Sequence, residues 1–147
     1  MKACLTVSLV AFTIATSDAQ QALNLSGVWV VAAQNGAERV MNITHTASGI
    51  TLRESVGDKE IRVVEWIFGA PELTPAGTVA GNPCETRASV AGAEIQFVGK
   101  TTLMSGPAEV RETWSLDSTG AFLKVARVIE PAPGISLTNE ETFERRR

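Results

Sequence analysis

Apolar and polar residues alternate along most of the 147-residue chain, and turn residues interrupt the alternation about every eight to twelve positions. A period of two residues is typical of a strand with one buried face, whereas almost no stretch has the helical period. The pattern predicts strands near residues 26–33, 38–46, 49–55, 60–68, 84–90, 93–100, 108–116, 121–130 and 136–145. We therefore expect an all-β fold, an antiparallel up-and-down β-barrel of about eight to nine strands, because closure removes exposed edges.

The first predicted strand carries the aromatic residue around which we expect the core to pack. Residues 25–31 read Leu-Ser-Gly-Val-Trp-Val-Val, an apolar and β-branched run with one large aromatic side chain. Gly27 lets the chain bend into the strand, and Trp29 is expected to fill one end of the core.

The hairpin at residues 117–120 predicts a register. If Leu116 pairs with Ala121, Trp114 faces Leu123 and the apolar residues share one face of the hairpin. A slip of one residue would exchange the two faces, so the pattern itself selects this phase.

The same test assigns a set of inward positions to the other strands. They are Trp29, Val31, Met41, Ile43, His45, Ile50, Leu52, Cys84, Thr86, Ala88, Val90, Ile95, Phe97, Val110, Trp114, Leu116, Leu123, Val125, Ile129, Leu137 and Phe143. The strand at 60–68 is apolar on both faces, so the pattern does not decide which face points inward. Residues 69–83 are rich in proline and glycine and are expected to lie as a loop across an end of the sheet.

The composition of the chain indicates where the protein is located and which kinds of partner it can bind. Residues 1–19 have the charge, apolar run and small-residue end of a signal peptide, with cleavage after Ala19, so we expect residues 20–147 to form one domain that is secreted or periplasmic. Export would leave Cys84 as the single cysteine, and we expect it to be buried. The net charge of −3 gives no basic surface for nucleic acid. We expect no membrane span after removal of the leader, and a monomer or weak dimer.

Two segments resemble a known family. Leu25-Ser26-Gly27-Val28-Trp29 is similar to the opening Gly-x-Trp strand of bacterial secreted proteins with a lipocalin-like domain, which belong to the calycin-type β-barrels. The run Thr113 to Gly120, followed by Leu123 to Arg127, resembles the penultimate hairpin of that family. The resemblance implies a scaffold that binds a small, often apolar molecule. It also implies that a late-strand arginine, Arg127 or Arg145, packs over Trp29.

Charged residues on the inward phase are the candidate chemistry. Glu54, Glu112, Arg127 and Glu141 all fall there, and a buried charge has to be paired, hydrated or bound to a polar ligand. Glu112 and Arg127 are near neighbours in the predicted register. They are expected either to form a structural salt bridge or to let Arg127 anchor a ligand carboxylate.

The candidate ligand-binding residues follow from these positions. They are Arg127, Glu112, Trp114, Phe97, Leu123 and His45. His45 is the single histidine and is expected at a barrel rim, either hydrogen-bonded or in contact with ligand. The sequence carries no metal-ligand cluster, nucleophile motif or cofactor motif, so we expect no metal and no cofactor.

Three functions remain open at this point. The first is non-catalytic binding of a small, partly apolar molecule in the barrel interior. The second is an envelope interaction or inhibitor module whose barrel is packed solid. The third is a small hydrolase or isomerase in the barrel mouth, which would require His45 or two glutamates to converge.

Overall fold

The computed structural model describes residues 22–32 and 35–147, which form ten antiparallel strands. The strands are β1 Gly27–Ala32, β2 Glu38–His45, β3 Gly49–Val56, β4 Lys59–Ile67, β5 Thr74–Val79, β6 Asn82–Ala91, β7 Glu94–Leu103, β8 Gly106–Leu116, β9 Phe122–Ala132 and β10 Ile135–Arg145. The predicted all-β, antiparallel, lipocalin-like barrel is confirmed, with ten strands instead of eight to nine. The leader predicted at residues 1–19 lies outside the described residues.

The strands form one sheet that nearly closes on itself. Its order is β4-β3-β2-β1-β10-β9-β8-β7-β6-β5. The first strand pairs with the last, and every consecutive pair of strands except β4 and β5 forms a hairpin. The two end strands of this order, β4 and β5, lie side by side without a shared backbone ladder. We call the line between them the seam.

The core lies inside the barrel and is aromatic. Trp29 and Trp114 are fully buried in one cluster, which confirms that the apolar faces share a single interior. Phe97 lies between two indoles, with ring centroids 4.8 Å from Trp66 and 4.6 Å from Trp114. Offset and edge-on aromatic contacts of this kind add to the gain from apolar burial.

The predicted loop at 69–83 is wrong in part, because it contains β5. Ala80 and Gly81 both have positive φ angles, 49° and 79°, and join β5 to β6 as a tight hairpin. Pro75 hides the strand in the sequence, since proline enters a sheet chiefly at an edge, which is where β5 lies.

The predicted hairpin register is also wrong, by two residues. Leu116 pairs with Leu123, not with Ala121. The Asp117 side chain explains the longer turn: its Oδ1 accepts the Phe122 N–H at 2.9 Å and its Oδ2 accepts the Thr119 hydroxyl at 2.6 Å. A shift of two residues preserves the faces, so the predicted inward side of both strands stands.

The sequence did not decide which face of β4 points into the barrel, and the packing of the strand against the core decides it. Val64 and Trp66 point inward, while Ile61, Val63 and Ile67 are about half exposed on the outer face. Two predicted inward residues elsewhere, Val90 and Leu137, are 50% and 54% exposed because they lie near strand ends. Among the described residues, no helix is long and apolar enough to cross a membrane.

Candidate functional site at the barrel mouth

A layer of ionisable side chains crosses the barrel above the aromatic core. We call the end of the barrel beyond this layer the mouth. Glu54 and Glu112 belong to the layer and are 2% and 7% exposed, which confirms their inward phase. Because an unpaired buried carboxylate costs several kcal/mol, both require cationic partners.

Glu54 binds one arginine on each carboxylate oxygen. Arg39 Nε donates to Oε1 at 2.5 Å, and Arg62 Nε donates to Oε2 at 2.8 Å. These residues lie on β2, β3 and β4, so one carboxylate links three adjacent strands. The group carries two positive charges against one negative charge.

Arg39 continues the network to β10. Its Nη1 donates to both carboxylate oxygens of Glu141, at 2.6 and 2.8 Å. Burial acts to lower the pKa of Arg39, but the charges and hydrogen bonds of Glu54 and Glu141 outweigh it, so the pKa is raised. Among the described residues the β1–β10 ladder covers two residue pairs, and the Arg39–Glu141 ion pair holds the barrel together beyond it.

Glu112 and Arg127 form the second part of the network. They are direct cross-strand partners, and Arg127 Nε donates to Glu112 Oε2 at 2.5 Å. The other carboxylate oxygen accepts the Trp114 indole N–H at 2.6 Å. The structural salt bridge considered for this pair is present, and it connects the charged layer to the aromatic core.

A cleft of about 200 Å³ opens where the charged layer meets the seam. Its lining residues are Arg39, Glu54, Ile61, Arg62, Gly77, Thr78 and Arg127. The lining contains three arginines and one glutamate. Glu112 and Glu141 do not line the cleft, but they pair with Arg127 and Arg39, so the whole network has three charges of each sign. Each guanidinium has five N–H donors, and within the described part of the chain Nη2 of Arg39, Nη2 of Arg62 and Nη1 of Arg127 make no hydrogen bond to protein. The cleft therefore presents spare cationic donors.

The backbone is irregular on both sides of this cleft. The β3–β4 register shifts next to Glu54, which makes Ile61 an extra residue on β4, and the β5–β6 register shifts between Pro75 and Thr78. Such β-bulges redirect side chains and are frequent beside functional sites. Here the two bulges flank Arg62, whose Nη1 donates across the seam to the Ala76 carbonyl at 3.0 Å.

Gly77 provides the space that Arg62 occupies. Its φ angle is +91°, and a Cβ atom at this position would lie 2.6 Å from Arg62 Cδ. A glycine is required on both counts, because other residues rarely adopt this backbone conformation and none would leave room for the arginine stem.

The interior beneath the charged layer is filled. The void enclosed between Trp66, Phe97, Cys84 and the charged pair Glu112–Arg127 has a volume of about 10 Å³, enough for one water molecule at most. The expected interior site would need some hundreds of cubic ångströms. In this conformation, then, Phe97, Trp114 and Leu123 belong to a solid core, because three tryptophans and two phenylalanines occupy the space.

Cys84 lines the same small void, and its predicted burial is confirmed. It packs with Val79, Val110 and Ile129 near the mouth. Burial raises the pKa of its thiol, so the protonated form is favoured.

His45 lies at the opposite end of the barrel from the charged layer. Its Nδ1 accepts the Leu25 N–H at 3.2 Å, and its ring meets Phe68 edge-on at 5.7 Å. Burial lowers the pKa of His45, which favours the neutral ring that this hydrogen bond requires. His45 is thus hydrogen-bonded at a rim, as one of the two alternatives expected, and is separated from the other candidate residues.

Of the six residues predicted to bind ligand, the structure brings five together: Arg127, Glu112, Trp114, Phe97 and Leu123. Sequence reasoning missed Arg39 and Arg62, which line the cleft. The signal was present, since Arg39 has the phase of Met41 and Ile43, and Arg62 has the phase of Val64 and Trp66.

A larger depression of about 600 Å³ lies outside the barrel, between the end of β1 and the C-terminal residues 144–147.

Comparison with solved structures finds the same kind of barrel in other proteins. The fold is similar to that of a "REP1-NXSQ fatty acid transporter", with a TM-score of 0.56 and 12% identity over 84% of this chain and 96% of that chain. A mutant form of that transporter gives a TM-score of 0.55 and 13% identity over 83% and 98% of the two chains.

A "secretary abundant heat soluble (SAHS) protein" of Ramazzottius varieornatus matches with a TM-score of 0.58 and 8% identity, over 86% of this chain and 98% of that one. No family model matches the sequence, and no curated protein matches it. At these identities the likeness shows the fold alone.

Proposed function

We propose that this protein is a non-catalytic binding barrel for a small anionic amphiphile, whose carboxylate binds Arg39, Arg62 and Arg127 in the cleft at the mouth. The observation that carries the proposal is the lining of that cleft, with three arginines, spare N–H donors and a single glutamate. Guanidinium groups bind carboxylates through two parallel hydrogen bonds, which gives both affinity and orientation. From the sequence alone, Arg127 is already a candidate anchor of a ligand carboxylate. The proposal keeps that role and adds Arg39 and Arg62 to it.

Two further features support an amphiphile. The cleft adjoins apolar side chains, Ile61 on its wall and the Val79–Val110 cluster behind it. Two of the similar structures are those of a fatty acid transporter and its mutant. The filled interior limits the closed barrel to the polar head of such a ligand, so contact of its tail with Phe97, Trp114 or Leu123 requires the barrel to open.

Catalysis is not part of the proposal. Glu54, Glu112 and Glu141 each accept hydrogen bonds from an arginine, and His45 is at the other end of the barrel. A general acid or base needs to exchange a proton with substrate, and a guanidinium-bound carboxylate is poorly suited to that exchange.

Export remains part of the proposal, since the apolar segment before Ala19 is typical of a signal peptide. We propose a secreted or periplasmic location. Expression of the full chain in a bacterial host, followed by cell fractionation and N-terminal sequencing, tests it. A new N-terminus at Gln20 in the periplasm is expected, and an intact cytoplasmic chain contradicts it.

Calorimetric titration with octanoate and with 1-octanol tests the binding function. Both ligands have the same tail, so the difference reports the carboxylate. A charge-assisted hydrogen bond contributes about 1.5–3 kcal/mol, and we expect octanoate to bind at least about tenfold more tightly. Equal affinities, or no saturable octanoate binding, would contradict the proposal.

Variants locate the binding in the cleft. Arg127→Lys keeps the charge beside Glu112 but removes the planar fork, and is expected to weaken octanoate binding about tenfold. Arg111→Lys makes the same change on the outer face of β8, where the side chain is 55% exposed, and is expected to leave affinity unchanged. Equal effects of the two changes would place the ligand elsewhere.

The second candidate function is the interaction module with a solid-packed barrel. The void of about 10 Å³ favours it, because such a module needs no ligand space. It predicts that neither octanoate nor 1-octanol binds.

A further inference from the structure

The seam is the weakest join in the described part of the barrel. Neighbouring strands elsewhere share backbone ladders, whereas β4 and β5 do not. Two side-chain hydrogen bonds cross from β4 instead. Arg62 Nη1 donates to the Ala76 carbonyl at 3.0 Å, and Trp66 Nε1 donates to Thr86 Oγ1 on β6 at 3.0 Å.

Arg62 belongs to the seam and to the cleft at once. Its Nε donates to Glu54 and its Nη1 to Ala76, and the residue lines the cleft. A carboxylate that binds a guanidinium in the two-bond geometry needs two adjacent nitrogens. Arg62 keeps one N–H on Nη1 and two on Nη2, so a carboxylate that binds both nitrogens approaches the donor that Ala76 shares. Of the two existing bonds, the one to the neutral Ala76 carbonyl is weaker than the one to the Glu54 carboxylate, and it is the one that a ligand displaces more readily.

We propose that anion binding opens the seam: Arg62 leaves the Ala76 carbonyl for the ligand carboxylate, and β5 separates from β4. This inference rests on the proposed function. It gives the filled barrel a route by which an apolar tail reaches Trp66 and Phe97, because Trp66 lies further along the same inward face of β4 as Arg62 and its bond to Thr86 is then the remaining link. The two β-bulges lie beside Arg62 and locate the opening there.

Hydrogen–deuterium exchange of the full chain, with and without saturating octanoate, tests the opening. We expect amides of residues 74–79 to exchange about fivefold faster with octanoate, the ratio that corresponds to the loss of one hydrogen bond of typical net strength. Peptides from the turn at residues 117–121, which lies at the end of the barrel opposite the mouth, serve as the internal control and should not change. Unchanged or slower exchange at 74–79, with octanoate bound, overturns the inference.

Arg62→Gln provides a second test. The variant removes the bond to Ala76, and Glu54 keeps its partner Arg39, so we expect it to fold. Exchange at 74–79 should be raised already without octanoate and should respond less than about twofold to its addition. An octanoate response equal to that of the parent protein contradicts a role for Arg62.

Arg53→Gln is the matched control for charge. Arg53 pairs with Glu60 on the outer face, and its side chain is 64% exposed. It should behave as the parent protein does. Calorimetry on the same samples separates the two proposals: absence of octanoate binding rejects the proposed function, whereas binding without a change at 74–79 rejects only the opening of the seam.

Discussion

The guanidinium of Arg145 lies over the Trp29 ring, with Cζ 4.4 Å from the ring centroid. Arg145 Nη1 also donates to the Ser26 carbonyl at 3.2 Å, and the Trp29 indole N–H donates to the Leu25 carbonyl at 2.9 Å. Gly27 lies directly beneath, since a Cβ there would be 3.5 Å from Arg145 Nη1. The first and last strands are thereby joined at the end of the barrel opposite the mouth. The resemblance left Arg127 and Arg145 open for this role, and Arg145 takes it.

Removal of the Arg145 side chain should therefore destabilise the barrel. A cation–π contact of this kind contributes about 0.5–2 kcal/mol, so Arg145→Ala is expected to lower the free energy of unfolding by about 1–2 kcal/mol. Urea denaturation measures the change. Arg147→Ala, at an exposed terminal position, should remain within about 0.5 kcal/mol of the parent. Equal effects of the two substitutions would show that the contact with Trp29 contributes nothing.

Glu54 should contribute far more to stability than a surface carboxylate. Glu54→Gln leaves Arg39 and Arg62 without their shared counter-charge in a buried site, and a loss of about 3–5 kcal/mol is expected. Glu60→Gln is the control, because Glu60 also pairs with an arginine but its side chain is 53% exposed, so about 0–1 kcal/mol is expected. Chemical denaturation of both variants compares them. A loss below about 1 kcal/mol for Glu54→Gln would contradict the account of the charged layer.

Alanine substitutions at Gly77 and Gly81 distinguish the cost of a steric clash from the cost of an unfavourable backbone conformation. Both have positive φ angles, +91° and +79°, so an alanine at either position should cost about 1–2 kcal/mol. At Gly77 the new Cβ also displaces Arg62, whereas Gly81 has open space, so Gly77→Ala should destabilise by a further 1–3 kcal/mol or so. In an Arg62→Ala background the extra cost of Gly77→Ala should vanish, as measured by a double-mutant cycle. A cost that persists there would rule out the contact as its cause.

The lowered pKa of His45 should make the free energy of unfolding depend on pH. Its pKa is lowered in the folded protein by burial, from about 6.5 in an unfolded chain, so the unfolded state binds the proton more tightly. The contribution is present above about pH 6.5 and is lost as the pH falls through the folded pKa. The free energy of unfolding should decline between about pH 7 and pH 5.5, and His45→Gln should remove most of that decline. Parallel profiles for the two proteins would assign the decline to other groups.

Alternation was sufficient to predict most of the fold. Trp29, Trp114 and Phe97 could be placed in one core because a period of two fixes the face of each strand whatever the register. The same property explains why the hairpin error at Leu116 left the inward set intact. The phase of β4 was open, since Ile61 and Val63 are as apolar as Val64 and Trp66, and only the packed partners of the strand decide between its two faces.

The site was less accessible from sequence. Glu112 and Arg127 could be paired because one hairpin joins their strands. Arg39 and Arg62 share Glu54 across three strands, and the cleft also needs Gly77 from β5, a strand that Pro75 conceals. The filling of the interior is a property of summed side-chain volumes in three dimensions, and a one-dimensional pattern does not contain it.

The most direct test of the arginine cleft is a titration followed through the guanidinium Nε–H signals of the 15N-labelled protein by NMR. With octanoate, the signals of Arg39, Arg62 and Arg127 should shift together and saturate at one dissociation constant, while those of Arg53 and Arg111 on the outer face stay in place. Shifts of similar size at all five arginines, or saturation confined to the outer-face pair, would contradict the cleft as the binding site.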